Sequence, residues 1–167
     1  IWKERTDDSI FAKHTRNEFF PVETLIVWTI PPSNQILENV VDHVKPKKIY
    51  WFANTPKEND LSFLLKSVAK YIKDHLEDSQ TTIDIDELAA QNSVTYELIQ
   101  HILCWLSAKG DISIKKIQDH HIELSLQGIR LESEIEKQQK IIKRLIQEIQ
   151  SYRVFYQSTD LQNLLHS

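Results

Sequence analysis

The chain has 167 residues, of which 41% are apolar and 26% charged, with two Gly, five Pro, one Cys, no Met and a formal charge of −4. That composition excludes collagen-like, mucin-like and strongly disordered chains and fits one compact domain or two small ones tightly joined. A chain of this size buries roughly two thirds of its unfolded surface, so it needs no disulfide or metal staple.

The single Cys104 forms no disulfide framework and points to a reducing compartment, the cytoplasm. No apolar run approaches the roughly 18 residues of a membrane span, and Ile1-Trp2-Lys3-Glu4-Arg5 lacks a signal-peptide layout, so no membrane contact is expected. The absence of an initiator Met predicts a fragment, with room for an active site elsewhere in a parent chain.

Residues 1–23 are polar and irregular, and Phe19, Phe20 and Pro21 mark a segment that packs without periodicity of its own. Leu25-Ile26-Val27-Trp28 is a continuous apolar run, the pattern of a strand covered on both faces, and Pro31 and Pro32 end it. Ser33 is an N-cap for a helix with Ile36, Leu37, Val40, Val41 and Val44 on one face, stopped by Pro46. Ile49-Tyr50-Trp51-Phe52-Ala53 predicts a second buried strand. Strand, helix and strand within about 30 residues make a βαβ unit with a parallel strand pair.

Leu61, Leu64, Leu65, Val68, Ala69, Ile72 and Leu76 predict an amphipathic helix capped by Asn59 and Asp60. The polar bridge Glu77-Asp78-Ser79-Gln80 leads to Thr81-Thr82-Ile83, a short helix over Asp86 to Gln91, a turn, and a longer helix from Tyr96 to Lys109. Thr95 caps that helix, Val94 and Ile99 are spaced as a hydrophobic staple, and Gly110 closes it. Ile112 and Ile114, then Ile122, Leu124 and Leu126, alternate as two strands joined through Gln118-Asp119-His120. This is the order of a winged helix, with a core of Ile83, Leu88, Ala89, Leu98, Ile99, Ile102, Leu103, Leu106 and the wing isoleucines.

From Gly128 onward, Leu131, Ile135, Gln138, Ile142, Leu145, Ile149, Tyr152 and Tyr156 predict a helix of about 30 residues, roughly 45 Å long. It either lies across both lobes or offers a seam to another surface. The fold class is α/β, α+β over the whole chain. An α/β lobe (1–80) contains the parallel strand pair, a winged-helix unit spans 81–127, and the long C-terminal helix and tail occupy 128–167.

The chemistry-bearing signals are weaker. Pro31-Pro32-Ser33 stands where a dinucleotide fold carries glycines, and proline has no amide hydrogen to offer a pyrophosphate. Asp119-His120-His121 spells three letters of a phosphoesterase metal motif, but at a wing turn and with no upstream Asp-x-Asp it reads as coincidence. His101 and Cys104 stand three apart on a helix without a third orienting group. His14, His43, His75 and His166 lack metal-ligand spacing. Asp84, Asp86 and Glu87 favour the start of the helix that follows. Tyr50-Trp51-Phe52 reads as core, with Trp51 the outward member if alternation holds; the alternative is a platform on which bases stack.

Positive charge gathers at Lys45, Lys47 and Lys48 around Pro46, and at Lys137, Lys140, Lys143 and Arg144 on the final helix, followed by Arg153. These are a solvated face balanced by glutamates or a cradle for an acidic peptide or a phosphate backbone. Lys115 and Lys116 lie on the wing, where phosphate contact is conceivable. Yet residues 81–127 hold three lysines against seven carboxylates. The outward face of the second helix, Tyr96, Glu97, Gln100, His101 and Cys104, offers no Arg to read a guanine edge. Protein docking is therefore expected of the winged helix rather than duplex readout.

Leu25-Ile26-Val27-Trp28-Thr29-Ile30-Pro31-Pro32-Ser33, Lys45-Pro46-Lys47-Lys48-Ile49-Tyr50, Trp105-Leu106-x-x-Lys109-Gly110-Asp111-Ile112 and the closing Tyr152-Arg153-Val154-Phe155-Tyr156 occur in this order. In that order they resemble the C-terminal domain of bacterial RecJ, the single-strand-specific 5′-to-3′ exonuclease, over residues 24 to about 157. The resemblance implies a non-catalytic accessory module of DNA repair and recombination. It implies partners in the acidic tail of single-stranded-DNA-binding protein, in single-stranded DNA, and in a catalytic core that uses Mg or Mn and lies outside this chain. No cofactor is implied for the fragment itself. Lys45, Lys47, Lys48, Lys115, Lys116, Lys137, Lys140 and Arg144 are its candidate anchors, and no catalytic or metal residue is expected. The alternative readings are a winged-helix transcriptional regulator with an α/β sensor lobe and a free-standing hydrolase.

Overall fold

The computed structural model describes residues 1–3, 14–56, 61–77 and 81–159. The expected caps Asn59 and Asp60, the bridge residues Asp78, Ser79 and Gln80, and His166 lie outside the described residues, as does much of the N-terminal segment. The chain divides into two compact units that are discontinuous in sequence. One is drawn from Ile1–Lys57, Ala90–Val94 and Glu148–Ser167, the other from Glu58–Ala89 and Thr95–Gln147.

In the first unit, strand β1 (Thr24–Thr29), helix α1 (Asn34–Val44) and strand β2 (Lys48–Asn54) form the expected βαβ arrangement. The strands pair in parallel from Thr24↔Lys48 to Val27↔Trp51, and an irregularity then sets Thr29 against Asn54. Ser33 caps α1, its Oγ accepting from the Ile36 N–H at 3.3 Å. At the far end Lys45 turns left-handed at φ 48° and returns its N–H to Val41 O at 2.8 Å, so the helix has ended before Pro46 is reached.

The core of this unit gathers Leu25, Val27, Ile30, Leu37, Val40, Val44 and Tyr156 around Trp2. Trp2 was invisible to periodicity. It bridges in parallel to Val27 on the opposite edge of β1 from β2, with Trp2 N donating to Ile26 O at 2.7 Å and Trp28 N to Trp2 O at 2.9 Å.

The expectation that both strands are covered on both faces is corrected. β1 alternates, with Leu25, Val27 and Thr29 buried, and Tyr50 and Phe52 of β2 are each 53% exposed. The alternation within Tyr50-Trp51-Phe52 also runs opposite to the expected sense. Trp51 turns inward, half-buried against the core and 5.8 Å from the Tyr156 ring. The reason is supply: α1 and the end of the last helix place their apolar stripes in one core, on the Leu25 and Val27 side.

The second unit contains α2 (Leu61–Glu77), β3 (Thr82–Asp84), α3 (Ile85–Gln91), α4 (Tyr96–Lys109), β4 (Ile112–Gln118) and β5 (His121–Leu126). Its antiparallel sheet has the order β3-β5-β4, the arrangement of a winged helix. Asp84 Oδ1 accepts the N–H groups of Asp86 and Glu87 at 2.8 and 3.1 Å and so heads α3. Thr95 Oγ1 accepts from Leu98 N at 3.3 Å to start α4, and Gly110 at φ 83° closes it. The Tyr71 hydroxyl of α2 is pushed up to about 12, first by burial and then by the Glu87 and Asp84 carboxylates at the head of α3. Every residue of the expected core is buried except Ile114, which is half-buried; Ile85 joins them.

Helix α5 (Glu132–Ser158) runs for 27 residues, and Ile135, Gln138, Ile142, Leu145, Ile149 and Tyr156 are buried along it as the spacing predicts. Two positions of that stripe depart from it: Tyr152 is half-buried, and Leu131, which precedes the helix and donates its N–H to Ala108 O at 2.7 Å, is exposed.

The two glycines of the chain meet at one crossing. Gly128 N donates to Gly110 O at 3.0 Å, and a Cβ on Gly128 would stand 2.2 Å from the Ile112 carbonyl oxygen. That obstacle is backbone, so it cannot swing away. Gly128→Ala should cost about 2–3 kcal/mol of stability, read as a lower urea midpoint at an unchanged slope.

Candidate functional site

The expected anchors fall into three groups. Lys45, Lys47 and Lys48 lie at the turn between α1 and β2 in the first unit, all exposed. Lys47 Nζ contacts Glu23 Oε1 at 2.7 Å, an exposed ion pair of small energetic weight. Lys115 and Lys116 lie on β4 of the second unit, where the register shifts between Ile114 and Lys116. Lys116 pairs across the ladder with Glu123 and lines a shallow recess with Thr82, Gln118, Asp119, His121 and Glu123. Lys116 therefore shares its recess with the Glu123 and Asp119 carboxylates, which weakens it as a phosphate anchor.

Lys137, Lys140 and Arg144 form the third group, on the part of α5 that belongs to the second unit, and all three are exposed. Spacings of three and four residues put them within about 60° of arc on the helix. They occupy a face other than the Ile135, Gln138, Ile142 and Leu145 stripe. Glu134 approaches Lys137 at 3.4 Å, again at the surface.

Arg153 does not extend this basic face. It is 5% exposed, and its Nη2 donates to the Ser93 carbonyl at 2.5 Å and to Ser93 Oγ at 3.0 Å. Ser93 is fully buried and holds a left-handed backbone at φ 54°, a conformation that residues other than Gly, Asn or Asp adopt reluctantly. Arg16 Nη2 adds a bond to Val94 O at 2.7 Å. Two guanidinium groups thus hold the Ala90–Val94 turn within the first unit, and the sequence pattern alone could not separate Arg153 from its solvent-facing neighbours.

The Asp119-His120-His121 letters sit at the β4–β5 turn, with Asp119 left-handed at φ 53°. His120 Nδ1 meets Asp86 Oδ2 at 2.8 Å, and His121 Nε2 stands 3.9 Å from Asp84 Oδ2. Both histidines therefore face the acidic start of α3. Among the described residues no group of three or more His, Cys, Asp or Glu side chains is placed to hold a metal ion.

Helix α4, the element a winged helix would offer to a DNA groove, exposes little. Glu97 is its one exposed residue, while Tyr96, Gln100, His101 and Cys104, expected on an outward face, are half-buried. The first turns of α5 account for part of this: His101 Nδ1 lies 2.7 Å from Gln138 Oε1. The Cys104 thiol is pushed up, mainly by burial and secondarily by Glu134.

Two outcomes follow. Arg153→Ala should lower stability by about 2–4 kcal/mol, since it strands a buried carbonyl and leaves a cavity; urea unfolding measures it. Cys104 should react with iodoacetamide more slowly at pH 8 than a free cysteine does, because the thiolate is the reacting form. Compared with known proteins, the chain matched no family model, no curated protein and no solved structure.

Proposed function

We propose that this chain is a non-catalytic accessory module, like the C-terminal domain of RecJ-type single-strand exonucleases, and that it docks the acidic tail of single-stranded-DNA-binding protein. The supporting observation is the exposed stripe Lys137, Lys140 and Arg144 along α5. Just before that helix, Leu126, Ile129 and Leu131 are 64%, 80% and 51% exposed. Apolar side chains followed by a cationic face suit a peptide that is itself acidic and apolar.

The reading of this chain as non-catalytic is supported by where its reactive groups are spent. His120 and His121 face Asp86 and Asp84, the His101 ring meets Gln138, and burial pushes the Cys104 thiol up. A winged-helix regulator is the weaker alternative, because α4 presents a single exposed side chain and that side chain is acidic.

The test is a fluorescence-anisotropy titration of the whole chain with the acidic tail peptide at about 0.05 M and 0.3 M salt. Binding should weaken with salt, and Lys137→Glu combined with Lys140→Glu and Arg144→Glu should weaken it at least about tenfold at the lower salt. A peptide that fails to bind at low salt, or that ignores the triple substitution, overturns the assignment.

A further inference from the structure

The outer face of the β1–β2 pair is the feature with no structural explanation so far. Leu25 and Val27 join the core, with Ile49 and Trp51 packed partly buried against them. Ile26 pairs with Tyr50 one residue out of phase with that set, so Ile26, Trp28, Tyr50 and Phe52 share the opposite face. Tyr50 and Phe52 are each 53% exposed, and the Phe52 ring lies tilted beside Trp28, with ring centroids 4.8 Å apart and planes at 34°. Parallel strands are ordinarily covered on both faces, and aromatic surface left open in this way marks an interaction site.

Charge and spacing select the occupant. Lys48 follows the same alternation as Tyr50 and Phe52, and the remaining outward positions, Thr24, Ile26 and Trp28, carry no charge. Among the described residues neither Lys48 nor the neighbouring Lys45 enters an ion pair, while Lys47 is taken up by Glu23. The face is thus aromatic and positive at one end. Tyr50 and Phe52 stand two residues apart on a strand, roughly 6.6 Å, about twice the 3.4 Å rise per nucleotide of a stacked strand. Bases seated on both rings must be unstacked from one another, which a single strand permits and a duplex does not.

We propose that this face binds single-stranded nucleic acid, with bases stacked on Tyr50 and Phe52 and a phosphate at Lys48. The inference goes beyond the peptide-docking reading above and stands on the residues of this face alone. Its residues belong to the first unit, and those of the α5 stripe to the second.

The experiment titrates the whole chain with labelled oligothymidylate and oligouridylate of about 15 nucleotides and with a duplex of equal length. A preference for either single strand over the duplex is expected, and the two arms separate DNA from RNA. Tyr50→Ala and Phe52→Ala should each weaken binding about 5- to 100-fold. Lys48→Gln should flatten the salt dependence by about 0.7 in the logarithmic slope, and Phe155→Ala, an exposed aromatic elsewhere in the same unit, should change nothing.

Crosslinking to iodouracil-substituted strands, with adducts mapped to Tyr50 or Phe52, reads the contact without any substitution. Equal affinity for the duplex, indifference to both alanine variants, or adducts only elsewhere overturns the proposal. So does a dimer that dissociates in the Tyr50 and Phe52 variants while no oligonucleotide binds, which assigns the face to a second copy. Tail-peptide binding that survives loss of oligonucleotide binding leaves the preceding assignment standing, and the converse leaves this one.

Discussion

A two-stranded parallel sheet has two broad faces, and the first unit places the apolar stripe of α1 and the last turns of α5 in the core on one of them. Leu37, Val40 and Val44 from α1 and Tyr156 from α5 close over Leu25, Val27 and Trp2. Burying side chains of this size contributes roughly 1.5–3 kcal/mol each, so the covered face is where the stability of the unit is concentrated. The aromatic side chains of the other face remain half open to solvent. That asymmetry is what turns Tyr50 and Phe52 from expected core into candidate contact residues.

The second unit shows how little a winged-helix topology says about DNA. Its strand order and caps are those of the fold, yet the α4 surface is half-covered and its one exposed side chain is Glu97. A duplex reader needs donors that reach base edges and cations that neutralise phosphates. Here Lys116 shares its recess with Glu123 and with Asp119 of the β4–β5 turn, and positive charge is laid along α5 instead. Function in this unit follows from the surface and not from the topology.

Arg153 illustrates a different limit on pattern reading. In the sequence it continues a run of cations on a long helix. In the fold it turns inward with Arg16 to secure the Ala90–Val94 turn, whose Ser93 occupies a left-handed conformation. A cation taken from water in this way is held in place by its hydrogen bonds, and removing it costs more than removing an exposed one.

Local chemistry made much of the architecture legible. Ser33 and Thr95 cap their helices through their hydroxyls and Gly110 through its left-handed backbone, Pro31 and Pro32 follow β1 closely, and the 3.5-residue spacing from Ile135 to Tyr156 marks the buried stripe of α5. These features depend on interactions within a few residues, which a sequence carries explicitly. Which face of β2 turns inward, whether Arg153 meets solvent, and why Gly128 tolerates no side chain depend on backbone and side chains brought close from distant positions. Periodicity of two separates the faces of a strand but gives neither face a direction; the supply of helix surface assigned it here.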